Sequence, residues 1–106
     1  FTKIFKIKVE IPNDILLPNI IAGNSAINYR FYPTSVHDLT ILQMSIFDRW
    51  GDLVFERKSF YANDPDKGWN GYFNGQKAGA GVYVYLVEYQ LDGKTYVTRG
   101  DVTLIW

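Results

Sequence analysis

The sequence predicts an all-β domain: an immunoglobulin-like antiparallel β-sandwich of about seven strands. Three observations carry that reading. Apolar residues recur at every second position in several short runs, the period of a half-buried strand. Turn-forming Gly, Asn and Asp clusters interrupt those runs at short intervals. No window of useful length carries a 3.6-residue apolar period bounded by helix caps. Aromatic residues, 17% of the chain, fall mainly in the alternating runs, where strands accommodate them.

The elements follow in order. Phe5, Ile7, Val9 and Ile11 alternate with Lys6, Lys8 and Glu10 and form a first strand, stopped by Pro12 and Asn13. Residues 18–28 are rich in Asn and small side chains and read as a loop. Ile27, Tyr29 and Phe31 resume a short alternation that Pro33 ends. Apolar density from Leu39 to Phe47 predicts a central strand, and Leu53, Val54 and Phe55 its hairpin partner. The loop between them runs from Asp48 to Asp52, with Gly51 at the position that needs positive φ. Residues 63–74 are the most irregular stretch. A long strand is expected over Val82–Tyr89 and a last one over Thr95–Ile105, joined through an Asp92-Gly93 hairpin turn. Tyr83, just after the small-residue bend Gly79-Ala80-Gly81, is placed to bond its hydroxyl to upstream backbone.

At 106 residues the chain makes one domain, 1–106, large enough to bury roughly 65% of its unfolded surface without disulfides or metal. Eleven basic and eleven acidic side chains cancel and neither sign clusters. Nucleic acid and anionic membrane both require a concentrated basic face, so neither is expected as a partner. No apolar run approaches the length of a membrane span. Cysteine is absent, which excludes disulfides and thiolate chemistry without fixing a compartment. The chain opens at Phe1 with neither an initiator Met nor a signal peptide, the expectation being a segment excised from a longer polypeptide.

Catalysis finds little support. His37 is the sole histidine, sits in a predicted loop beside Asp38, and would have to recruit Ser35 or Ser45. Glu10, Glu56 and Glu88 lie on expected solvent faces of strands, so no carboxylate pair is implied. The run Asp64-x-Asp66-x-Gly68 faintly resembles a calcium loop but lacks the bidentate Glu, and turn formation is the favoured role. No cofactor or metal is expected. Trp69, between Gly68 and Asn70-Gly71, is assigned to burial at one end of the sandwich. Trp50, at a hairpin tip beside Arg49, divides between packing and recognition. Val102, Leu104 and Trp106 alternate with Asp101 and Thr103 in the final strand, which either closes a sheet or offers an edge to another strand.

Three segments, SIFDRWGDLVFE, GWNGYFNGQKAGAGVYVY and DVTLIW, in that order, resemble the gliding-motility-associated C-terminal domain family of the Bacteroidota, a type B sorting domain of the type IX secretion system. The likeness runs from about Val9 to the C-terminus. The family's F-N-R-W-G-E-L-V-F pattern falls on Phe47–Phe55, its Trp-Asn-Gly turn on Trp69, Asn70 and Gly71, its P-x-G-V-Y-V-Y run on Gly79–Tyr85, and its closing G-x-V-T-L-I on Gly100–Ile105. A wider likeness, to the immunoglobulin-like domain of the flagellar hook-cap protein, covers only the middle segment. Three departures stand out. The acidic residues of the family's opening loop are absent from Ile20–Tyr29; Ala78 and Ala80 leave the bend before Tyr83 without a Pro; and Trp106 stands where a basic residue is common.

The resemblance implies a non-catalytic address that sends an upstream cargo through the outer-membrane type IX translocon. The product would be secreted or held at the cell surface after passing the periplasm, with translocon-associated receptors as partners. Exposure logic places the recognition surface on Arg49, Trp50 and Gly51 and on the terminal run Gly100, Asp101, Val102, Thr103, Leu104, Ile105 and Trp106. Trp69, Asn70, Gly71, Gly81 and Tyr83 are expected to be structural. The alternative is a carbohydrate-binding or adhesive sandwich, which requires exposed rings in a row.

Overall fold

The computed structural model describes residues 14–25 and 29–106; the strand expected over Phe5–Ile11 and the contribution of Ile27 lie outside them. Seven strands are present among the described residues: β1 (Ile20–Ala22), β2 (Thr40–Phe47), β3 (Leu53–Tyr61), β4 (Tyr72–Phe73), β5 (Gln76–Lys77), β6 (Gly81–Leu91) and β7 (Lys94–Ile105). The sole helical element among them is a single 3-10 turn, Pro65–Lys67. The domain is all-β, as the alternating patterns require.

Five strands form one sheet in the order β1-β7-β6-β2-β3, and β4 and β5 form a small hairpin. Asp92 and Gly93 both adopt positive φ, 53° and 78°, the conformation of the tight turn that matches strand twist. The β6–β7 ladder therefore runs unbroken from Leu91↔Lys94 to Gly81↔Leu104. β2 lies between β6 and β3, the central position its apolar density predicts. The β2–β3 hairpin extends well beyond Phe55, to Thr40↔Tyr61. Ser59 in β3 has φ 58°, a kink in the outermost strand.

The terminal strand closes the sheet and does not form its edge at that end. Ile20, Ile21 and Ala22 pair in parallel with Thr103, Leu104 and Ile105, while Gly81, Val82 and Tyr83 pair with Leu104, Thr103 and Val102 on the other side. Residues 18–28 are thus not loop throughout. Ile21 is fully buried, and that burial contributes to holding the three-residue strand against the sheet.

Side chains alternate across the sheet. Ile41, Met44, Ile46, Val87, Val102 and Leu104 point inward and are fully buried. A second layer covers them, built from extended segments tied by the bridges Leu16↔Thr34 and Phe31↔Trp69. Phe31 and Trp69 exchange backbone hydrogen bonds of 2.8 and 2.9 Å. Their rings pack on β6, Phe31 at 5.0 Å from Tyr85 and Trp69 edge-on at 5.1 Å from Tyr83, arrangements aromatic pairs favour.

The corner expected at Tyr83 is present: its hydroxyl donates to the Gly79 carbonyl at 2.7 Å. Burial, and secondarily the Asp48 carboxylate, raise this phenol above its ordinary 10.0, with Arg49 opposing. Tyr83→Phe should cost about 1 kcal/mol in urea denaturation, the worth of one such bond. Because the folded value is raised, the hydroxyl's contribution is complete below the unfolded pKa of about 10 and is lost as pH climbs through the folded value. The alkaline fall in stability should be shallower in the Phe variant.

Candidate recognition surface

The loop after β2 is braced by one carboxylate. Asp48 Oδ1 accepts from the backbone N–H of Trp50 and of Asp52, both at 2.9 Å. The Asp48 N–H donates to the Asp52 carbonyl and the Gly51 N–H to the Asp48 carbonyl. Gly51 takes φ 88° with open space around it, so glycine is required there by backbone conformation and not by crowding. Trp50 is 80% exposed at the tip. Arg49 behaves differently. A Cβ on Gly81 would stand 2.7 Å from its Nη2, so the guanidinium lies across the start of β6. Within three residues, one side chain tethers the loop and the next projects from it.

Register brings this hairpin and the terminal strand to the same end of the sheet. Phe47 pairs with Val84, and Val84 with Asp101, so two strand spacings, roughly 10 Å, separate the base of the hairpin from Asp101. The expected terminal residues then divide by face. Val102 and Leu104 are fully buried in the core; Asp101 and Ile105 face solvent and Thr103 is half-buried. Gly100 lies beneath the Tyr85 ring, whose hydroxyl would stand 2.5 Å from a Cβ there.

Trp106 is a lock between segments. Its Nε1 donates to the Ala78 carbonyl at 2.9 Å, and Tyr72 meets its ring edge-on at 5.5 Å. Lys77 Nζ stands 4.8 Å from the ring centroid, within cation–π range. A Cβ at Gly23 would collide with the ring, and one at Gly71 would stand 3.1 Å from it.

The Trp-Asn-Gly turn divides its labour. Trp69 is 1% exposed and donates its indole N–H to the Tyr72 carbonyl at 3.0 Å. Asn70 Oδ1 accepts from the Tyr72 N–H at 3.0 Å. Gly71 supplies φ 85° where Leu104 and Trp106 leave no room for a side chain. Gly81, at φ 145°, admits Arg49.

The polar candidates are also occupied structurally. Ser35 Oγ donates to the Asp14 carbonyl and accepts from the His37 backbone N–H. Buried Ser45 accepts from Gln43 Nε2, which also donates to Glu56. Asp64 Oδ1 caps the 3-10 turn through the Asp66 N–H at 3.1 Å. Among the described residues no group of three or more His, Cys, Asp or Glu is placed to hold a metal ion. No helix among them is long and apolar enough to cross a membrane. Of the rings at or near loops, Trp69 is buried, while Trp50, Tyr72 and Phe73 are exposed.

The model of the CHU_C type IX secretion signal domain family matches residues 15–104. That span covers most of the chain and includes the hairpin, the Trp-Asn-Gly turn and the Tyr83 corner. The chain belongs to this family: it is a type IX secretion signal domain, an address for export across the outer membrane that engages the secretion machinery. No curated protein matches it.

Trp106→Ala should lose the indole bond and the ring between Gly23 and Gly71, costing about 2–3 kcal/mol in denaturant unfolding. Trp50→Ala, at an exposed tip, should change stability by less than about 0.5 kcal/mol.

Proposed function

We propose that the domain is the C-terminal address of a longer secreted chain, read by the type IX translocon and its receptors as a folded shape. It carries no catalytic duty and needs no cofactor. The upstream cargo crosses the inner membrane by a separate signal, and the address then commits it to the outer-membrane step, with release or surface retention to follow. The observation that carries this reading is the family match over residues 15–104, combined with a largely exposed Trp50 on a braced hairpin. Exposed tryptophans on rigid supports are the residues that dominate protein interfaces.

The contact surface in this proposal is Trp50, with Gly51 beside it, and the outward side chains Asp101, Thr103 and Ile105. Arg49 presents the hairpin; Gly100, Val102, Leu104 and Trp106 hold the terminal strand in place. A sugar-binding role draws on the same exposed Trp50 ring, and quenching of its fluorescence by oligosaccharides separates the two readings.

Residues 1–106, fused behind a signal peptide and a fluorescent reporter in a host with the type IX system, should deliver the reporter outside the cell. A translocon-deficient strain should retain it in the periplasm. Trp50→Ala should lower export about tenfold or more while circular dichroism stays unchanged. Equal retention of the parent fusion in both strains would refute the proposal.

A further inference from the structure

The five-stranded sheet has a second face, opposite the core, and it is apolar at its centre. Val82, Val84 and Leu86 project from β6 on that side and remain 48%, 42% and 39% exposed. Leu53 of β3, across Phe47 from Val84, adds to the same strip. Antiparallel sheets with one solvated face ordinarily carry polar residues there, and a contiguous apolar strip marks an interaction surface.

The charges beside the strip identify an occupant. The ladders align Arg99 with Leu86, Leu86 with Ser45, and Ser45 with Glu56. One row across the sheet therefore carries a cation at the β7 side and an anion at the β3 side. A suitable partner must be apolar in the middle and must place an acid over Arg99 and a base over Glu56. The same face supplies that acid and base when turned about a two-fold axis parallel to the strands and midway between β6 and β2, which sets Val84 over Phe47 and Leu86 over Ser45 of the second copy, with Asp101 over Leu53 at the flank. That rotation keeps each row at its level and exchanges its ends, so β7 of one copy lies over β3 of the other. Arg99 then faces Glu56 of the second copy, twice by symmetry. Stacked sheets lie about 10 Å apart with strands within roughly 30° of each other, a spacing that Arg and Glu side chains bridge. Glu56 is already oriented by the 2.7 Å bond from Gln43 Nε2.

We infer that the outward face of this sheet is a self-association surface, on which a second copy of the chain packs face to face with paired Arg99–Glu56 contacts; because Asp101 lies on that face beside Val84, pairing and reading of Asp101 by the translocon exclude one another. The positive φ at Ser59 interrupts the regular run of β3 at the sheet's border.

Sedimentation equilibrium of the purified chain should show a mass rising from 12.2 kDa toward twice that value with concentration. Val84→Lys should keep the protein monomeric, with circular dichroism unchanged. Arg99→Glu and Glu56→Arg should each raise the dissociation constant about tenfold or more, since each turns two attractive contacts into two repulsive ones. The double variant Arg99→Glu/Glu56→Arg should recover association to within a few-fold of the parent. A chain monomeric up to about 1 mM overturns the inference, as does association indifferent to Val84→Lys. Failure of the double variant to recover overturns the two-fold geometry.

Discussion

Burial of Trp69 organises the rest of the molecule. The side chain adds a large apolar area to the core, yet its indole N–H must find an acceptor and its backbone must leave the surface without losing hydrogen bonds. Exchange of backbone bonds with Phe31 meets the second demand, and the Tyr72 carbonyl meets the first. Together they pin the second layer against β6. The turn that follows must then reverse beside Leu104, which only Gly71 allows, and the space left over it receives Trp106. The small β4–β5 hairpin, the bend at Gly79 and the Tyr83 corner are arranged around that one ring.

The hairpin after β2 shows how a short motif separates mechanical work from display. Asp48 supplies the internal bracing, Gly51 the backbone angle and Arg49 the tie across β6. None of these roles requires Trp50, which is left projecting from a backbone that the frame holds. A side chain on a fixed backbone loses less entropy on capture than one on a mobile loop. The same economy holds in the terminal strand, where inward residues secure the sheet and outward ones remain available.

Much of this was legible in the residues. Asp92-Gly93 and Gly51 name their own backbone conformations, because few residues tolerate positive φ. Tyr83 after a small-residue bend, and Trp69 between glycines, announce a corner and a burial. What escaped depends on contacts distant in sequence. Ile20–Ala22 has no alternation of its own and becomes a strand only because Thr103–Ile105 lies beside it. For the same reason the sequence leaves open whether the last strand closes a sheet or borders one. Asn74-Gly75 was a readable signal: both residues have positive φ and link β4 to β5, but the strands on either side are too short to alternate. The division of Gly100–Trp106 into buried and outward residues follows its period, whereas the lock formed by Trp106 depends on Gly23, Gly71 and Ala78.

The left-handed residue in β3 has a consequence for crowding. A long straight border strand would let neighbouring copies zip together one after another without limit. Ser59 breaks the run of backbone donors and acceptors that such growth requires. Contact through a face related by a two-fold axis stops at a pair, because each copy's surface is consumed by its mate. The left-handed residue at the border and the two-fold relation across the face both act against open-ended growth.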